Sequence, residues 1–109
     1  MKRQLSNCIA LGVGANNVEE AASFYERNFG GTRGKSGEDW IEVRSGPLRL
    51  FIVGDEQGTP TFDLTVEDVH AAVHDLLAVG CTEVDLGGAH DERFVRDPYG
   101  HYFCISKES

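Results

Sequence analysis

The side chains able to do chemistry are few. Asp63 alternates with Thr61 and Thr65, so an extended strand would put one carboxylate and two hydroxyls on one face, a set suited to polar contacts with a small molecule. Trp40 and Tyr102 are aromatics in strand-like surroundings, and either can stack on a ligand, although packing is the default use of such rings. His70 and His74 have the i, i+4 spacing of a helical metal clip, but they flank an apolar stripe of Val69, Ala72, Val73 and Leu76 and should face water. His90, Asp91 and Glu92 carry ligand atoms in what reads as a solvated polar loop. His101 follows a tight turn and suits a pocket rim or the surface equally. Cys8, Cys81 and Cys104 are an odd number of thiols, which points to reduced cysteines and not a disulfide framework. Gly12-Val13-Gly14 lacks phosphate-loop spacing, and no serine sits in a nucleophile elbow.

A chain of 109 residues suits one domain with a modest core. Its 40% hydrophobic and 26% charged residues are ordinary globular values. No apolar run approaches the roughly 18 residues of a membrane helix. The start, Met1-Lys2-Arg3, is basic, but the apolar stretch from Cys8 to Val13 is too short for a signal peptide, so a cytoplasmic location is expected. The formal charge of −8 disfavours nucleic acid and anionic membranes as partners and favours a cationic ligand.

These residues must be positioned by alternating elements. Ile9, Leu11 and Val13 share one face of a first strand, with Cys8, Ala10 and Gly12 on the other. A helix follows over 18–28, with Asn17 and Glu20 as a capping box, an inner stripe of Val18, Ala21, Ala22, Tyr25 and Phe29, and Gly30-Gly31 as its stop. A weak strand is expected within 31–37, then strands at 39–44 and 48–53 about the turn Ser45-Gly46-Pro47. Residues 54–60 read as a link. Phe62, Leu64 and Val66 then alternate with Thr61, Asp63 and Thr65. A helix over 69–78 is capped by Glu67 or Asp68 and ended by Gly80, and short strands follow at 83–86, 93–96 and 102–106. Asp97-Pro98-Tyr99-Gly100 has the residues of a β-turn. Alternation puts the two apolar triplets against the helices and Cys8, Ala10, Thr61, Asp63 and Thr65 on the opposite face. Leu48, Leu50 and Ile52 are expected on that opposite face too, beside Tyr102, Cys104 and Ser106.

The order repeats: Cys8 to Val13 aligns with Thr61 to Val66, and Gly46-Pro47-Leu48-Arg49-Leu50 with Gly100-His101-Tyr102-Phe103-Cys104. Together with Ala22-Ser23-Phe24-Tyr25, Phe29-Gly30 and Arg96-Asp97-Pro98-Tyr99-Gly100-His101, this pattern resembles the vicinal oxygen chelate superfamily of glyoxalase I, bleomycin-resistance proteins, fosfomycin-resistance enzymes and extradiol dioxygenases. The resemblance spans nearly the whole chain. It implies an α+β fold of two βαβββ modules, about 5–54 and 60–107, forming a curved mixed sheet or half-open barrel with a helix outside each module. It also implies a homodimer. It does not imply one reaction.

Metal-dependent members of that superfamily hold a divalent ion with His, Gln or Glu on the first and last strands of each module. By the resemblance those slots fall here on Cys8, Leu50, Thr61 and Cys104, which is no ligand set. Two thiols in such slots could take a soft ion such as Cu(I), Cd²⁺ or an arsenical, but packing is the expected role of both. The resulting expectation is a small-molecule-binding protein without a cofactor, its pocket drawn from Cys8, Ala10, Trp40, Leu50, Thr61, Asp63, Thr65, Tyr102 and Cys104. The alternative is a glyoxalase-like lyase or dioxygenase with an atypical divalent-metal site.

Overall fold

The computed structural model describes residues 4–54, 60–88 and 91–108. The basic start Met1-Lys2-Arg3, most of the expected link (55–59) and His90 of the polar loop lie outside the described residues.

Among the described residues the elements run β1 (Gln4–Val13), a 3₁₀ turn (Ala15–Asn17), α1 (Val18–Asn28), β2 (Thr32–Ser36), β3 (Trp40–Ser45), β4 (Leu48–Gly54), β5 (Thr61–Val66), α2 (Val69–Ala78), β6 (Thr82–Val84), β7 (Arg93–Arg96) and β8 (Tyr102–Lys107). The class is α+β, as expected, and the element order is βαβββ twice. Neither helix is long and apolar enough to cross a membrane. The chain packs as two compact units, residues 7–60 and residues 61–109 with 1–6. In the 7–60 unit the strand order is β2-β3-β4-β1, with β1 and β4 parallel and the others antiparallel. In the other unit it is β5-β8-β7-β6, with β5 and β8 parallel. Each parallel pair needs a long crossover, which the helix and the two intervening strands supply.

The helix ends differ in chemistry. Asp68 caps α2, its carboxylate accepting from the Ala71 N–H at 3.0 Å. Asn17 precedes α1 but its side chain makes no capping bond, so the expected capping box is not formed. Instead the Asn17 N–H closes the 3₁₀ turn on the Gly14 carbonyl at 2.8 Å. Gly30 and Gly80 stop the helices with φ of 66° and 110°, a left-handed backbone that a side chain would oppose.

Each unit buries its own core under its helix. Val18 and Ala22 of α1 pack on Ile41, Val43 and Ile52, joined by Leu11, Val13, Tyr25 and Leu50. Ala72 and Val73 of α2 pack on Val66, Val95 and Ile105, joined by Leu64, Val69, Leu76, Cys81 and Phe103. Phe29 departs from the expected stripe: it lies past the last turn of α1, is 55% exposed and stacks on Tyr25 with ring centres 5.6 Å apart.

The strand registers decide which side chains face away from the helices. In the second unit Thr61 pairs with Tyr102, Asp63 with Cys104 and Thr65 with Ser106, so these six share the face opposite α2, as alternation predicts. In the 7–60 unit Ile9 pairs with Leu50 and Leu11 with Ile52, while Cys8 pairs with Arg49, Ala10 with Phe51 and Gly12 with Val53. Paired residues of adjacent strands point to the same side. Leu48, Leu50 and Ile52 therefore lie on the helix side, contrary to the expectation for β4. Their places on the opposite face are taken by Arg49, Phe51 and Val53.

Candidate functional site

The face of the 61–109 unit opposite its helix is built around Asp63. Its Oδ2 accepts from the Ser6 hydroxyl at 2.9 Å and the Thr65 hydroxyl at 3.2 Å, and its Oδ1 from the Ser106 hydroxyl at 3.0 Å. Three donors on one half-buried carboxylate make a closed polar cluster. Cys104 lies buried beside it. Burial first, then the charges of Glu92 and Asp63, push its thiol well above the usual range, so it stays protonated. Thr61 and Tyr102 are half-buried neighbours on the same face. Predicted residues Thr61, Asp63, Thr65, Tyr102 and Cys104 thus share this face.

The corresponding face of the 7–60 unit carries a group that the sequence reading misses. Glu42, on β3, has no exposed side-chain surface, yet it is charged. Its Oε2 accepts from Arg49 Nε at 2.6 Å and from Arg44 Nε at 3.1 Å, and its Oε1 from the Lys35 N–H at 3.1 Å. The Arg49 guanidinium and then the Lys35 amide outweigh desolvation and hold the carboxyl down at about 2. Gly34 makes room for it: a Cβ there would stand 2.5 Å from Glu42 Oε1. Arg49 also reaches Cys8 Sγ from Nη1 at 3.8 Å, and its guanidinium lies over the Phe51 ring, 5.2 Å from the centroid. Phe51 in turn tilts against Trp40 with ring centres 5.8 Å apart. Predicted residues Cys8, Ala10 and Trp40 therefore share a face with Arg49 and Phe51, and Leu50 does not.

Of the remaining predicted groups, half-buried Glu92 stands beside Cys104 and is not part of a fully solvated loop, whereas His70, His74 and His101 stay apart from these clusters. His70 and His74 are exposed on α2. His101 is 65% exposed and pairs with Asp97 at 3.5 Å, within a turn where Asp97 Oδ1 accepts the Tyr99 and His101 N–H groups at 2.9 Å each. Near the start of α1 a cleft of about 400 Å³ is lined by Asn16, Glu19, Arg33 and Trp40 among others. Arg33 there is bound to Glu19 and Glu26, both at 2.7 Å, so the cleft presents paired charges.

The metal slots implied by the family resemblance do not fit a metal. With the register of β4 corrected they read Cys8 and Phe51 in one unit, Thr61 and Cys104 in the other. A phenyl ring donates nothing and threonine is a weak donor, which leaves two thiols without further ligands, a poor site for a divalent ion. Among the described residues no three His, Cys, Asp or Glu side chains gather in a metal-binding group.

The glyoxalase-like domain family matches the chain over residues 9–106. No curated protein matches it in sequence. Among solved structures, a hypothetical protein from Bacillus halodurans C-125 has a similar fold, with TM-score 0.72, 9% identity and coverage of 100% of this chain and 96% of the other. A glyoxalase/bleomycin resistance protein/dioxygenase superfamily member from Vibrio splendidus 12B01 gives TM-score 0.67, 12% identity and coverage of 98% and 100%. Methylmalonyl-CoA epimerase from Mycobacterium tuberculosis gives 0.62, 15% identity and coverage of 96% and 87%. At these identities the likeness concerns the fold.

Proposed function

The chain belongs to the glyoxalase-like domain family, and from that premise we propose that it binds a small molecule without the divalent ion used by metal-dependent members of the superfamily. The observation that carries this reading is the donor set. The positions that would have to ligate hold Cys8, Phe51, Thr61 and Cys104, and two of the nearby carboxylates are committed elsewhere. Glu42 is saturated by two guanidiniums and an amide, and Asp63 by three hydroxyls. Recruiting either one to a metal would strip a carboxylate of its partners, at a cost of several kcal/mol.

Small side chains support the binding half of the reading. Ala10 and Gly12 on β1, and Thr61 and Thr65 on β5, leave space where a packed core would place leucines. The test has two arms. Protein purified without chelator is analysed for metals, and one tightly held ion per chain would overturn the metal-free reading. Melting temperature is then followed against Zn²⁺, Ni²⁺, Mn²⁺ and Fe²⁺ and against a small-molecule panel. The expected result is indifference to the ions and a rise with some organic compounds. A rise with a divalent ion and with none of the organic compounds would favour a metal-dependent lyase or dioxygenase instead.

A further inference from the structure

We infer that the face of the 7–60 unit bearing Arg44 and Arg49 binds a small organic anion, a carboxylate or phosphate carried on a flat apolar body. This deepens the binding reading and rests on it. Arg44 and Arg49 stand directly opposite each other on β3 and β4. Like charges in that arrangement repel, and a sheet gains nothing from them unless a counter-charge intervenes. Glu42 is that counter-charge, but it neutralises only one of the two. The cluster keeps a net positive charge in a chain that has 18 acidic side chains against 10 lysines and arginines.

The hydrogen bonds fix where that charge points. Both arginines give Nε to Glu42 Oε2. Among the described residues Arg44 makes no bond through its terminal nitrogens, and Arg49 makes only the long contact from Nη1 to Cys8. The terminal nitrogens of both forks, the groups that grip an oxyanion, are therefore left for a ligand. Glu42 is saturated and buried, so its part is to fix the two guanidiniums and not to touch the ligand. Beside them lies an apolar wall, Phe51 tilted on Trp40. The residues paired across from β4 on this face are Ala10 and Gly12, so the space over Phe51 and Val53 is not filled by β1 side chains. Two cationic forks, one of them already stacked over Phe51, next to an aromatic pair suit an anion attached to a ring. The overall charge of −8 would have favoured a cation. Local placement overrides it at a range of a few ångströms, because distant solvated carboxylates are screened.

Trp40 is the only tryptophan and stands against Phe51, so its fluorescence responds to this face; it also lines the cleft at the start of α1, and the arginine variants below assign the signal to one or the other. The protein is titrated with benzoate, phenyl phosphate and, as the cationic counterpart, benzylamine. The expected result is a saturable change with benzoate or phenyl phosphate, the tighter of the two identifying carboxylate or phosphate as the preferred head group, and none with benzylamine. Arg44→Gln, at a side chain 56% exposed and so tolerated by the fold, should weaken that binding about tenfold or more. Arg49→Lys keeps a charge against Glu42 but loses the fork, and should weaken it as well with circular dichroism unchanged. Equal binding by wild type and Arg44→Gln would overturn the inference even if Arg49→Lys does not fold. So would a response to benzylamine alone, or to none of the three. Those outcomes leave the metal-free binding reading to its own test, since metal content and the wider melting screen do not depend on the charge of the ligand.

Discussion

Glu42→Gln isolates the charge at the centre of the 7–60 unit while nearly keeping its shape. The carboxylate receives two charge-assisted bonds, from Arg49 at 2.6 Å and Arg44 at 3.1 Å, plus the Lys35 amide at 3.1 Å. The glutamine oxygen can keep the amide bond, but its NH₂ then faces two N–H donors. The arginines are 36% and 56% exposed and can rehydrate, so the loss falls short of that for a fully buried pair. The expected destabilisation at neutral pH is about 2–3 kcal/mol, a fall in melting temperature of roughly 8–20 °C for a domain this size. The pH dependence gives the sharper check. Folding lowers the carboxyl from its ordinary 4.5 to about 2. A lowered folded value means stabilisation that is complete above about pH 5 and fades as pH falls toward 2. Thermal melts of both proteins, followed by circular dichroism from neutral pH downward, should therefore converge below the ordinary carboxyl value. Parallel curves throughout, or equal stability at neutral pH, would refute the argument that this carboxylate is buried ionised.

Gly34→Ala should act through the same group. Its Cβ would meet Glu42 Oε1 at 2.5 Å, and that oxygen is pinned, so a loss of about 1–3 kcal/mol is expected in urea unfolding; the loss should shrink in a Glu42→Ala background, and an undiminished loss would mean the strain lies elsewhere. Cys104 should resist a thiol reagent such as DTNB in the folded protein while half-buried Cys8 reacts, with all three cysteines labelled after unfolding; labelling of Cys104 as fast in the folded protein as in the unfolded one would contradict its burial beside Asp63 and Glu92. Light scattering at micromolar concentration should give the mass of a homodimer, and a monomer mass would count against that expectation.

Much of this fold is legible in the sequence because its two strongest signals, alternation and glycine stops, act locally. Thr61 to Val66 alternates between large apolar and small polar residues, and the facing this predicts is the facing observed. In β4 alternation has nothing to grip. Leu48, Leu50 and Ile52 alternate with Arg49, Phe51 and Val53, so both faces are largely apolar. The expected facing rests instead on aligning the turn at Gly46 with the turn at Gly100. That alignment equates Leu48 with Tyr102, but against the first strand of each unit it is Arg49 that matches Tyr102, since Arg49 pairs with Cys8 and Tyr102 with Thr61. Aligning the glycines shifts β4 by one position, and a one-residue shift exchanges the faces of a strand. That shift is what puts Leu50 in the expected pocket and Phe51 in the observed one.

The same shift conceals the arginine cluster, although its ingredients are in view. Trp40-Ile41-Glu42-Val43-Arg44 alternates, with Glu42 and Arg44 on one face and Ile41 and Val43 on the other. A two-residue turn at Gly46-Pro47 then requires Arg44 to face Arg49. Once that register is taken from turn length, two like charges are forced into opposition, and a carboxylate two residues from Arg44 becomes the local means of holding them. Glu42 is thus readable as a paired ion from the sequence. What local pattern does not supply is the depth of the carboxylate. That depends on Gly34, a residue of β2 that the irregular pairing of β2 with β3 brings against Glu42. An irregular register of this kind has no periodic signature, because the bulge breaks the alternation that would announce it.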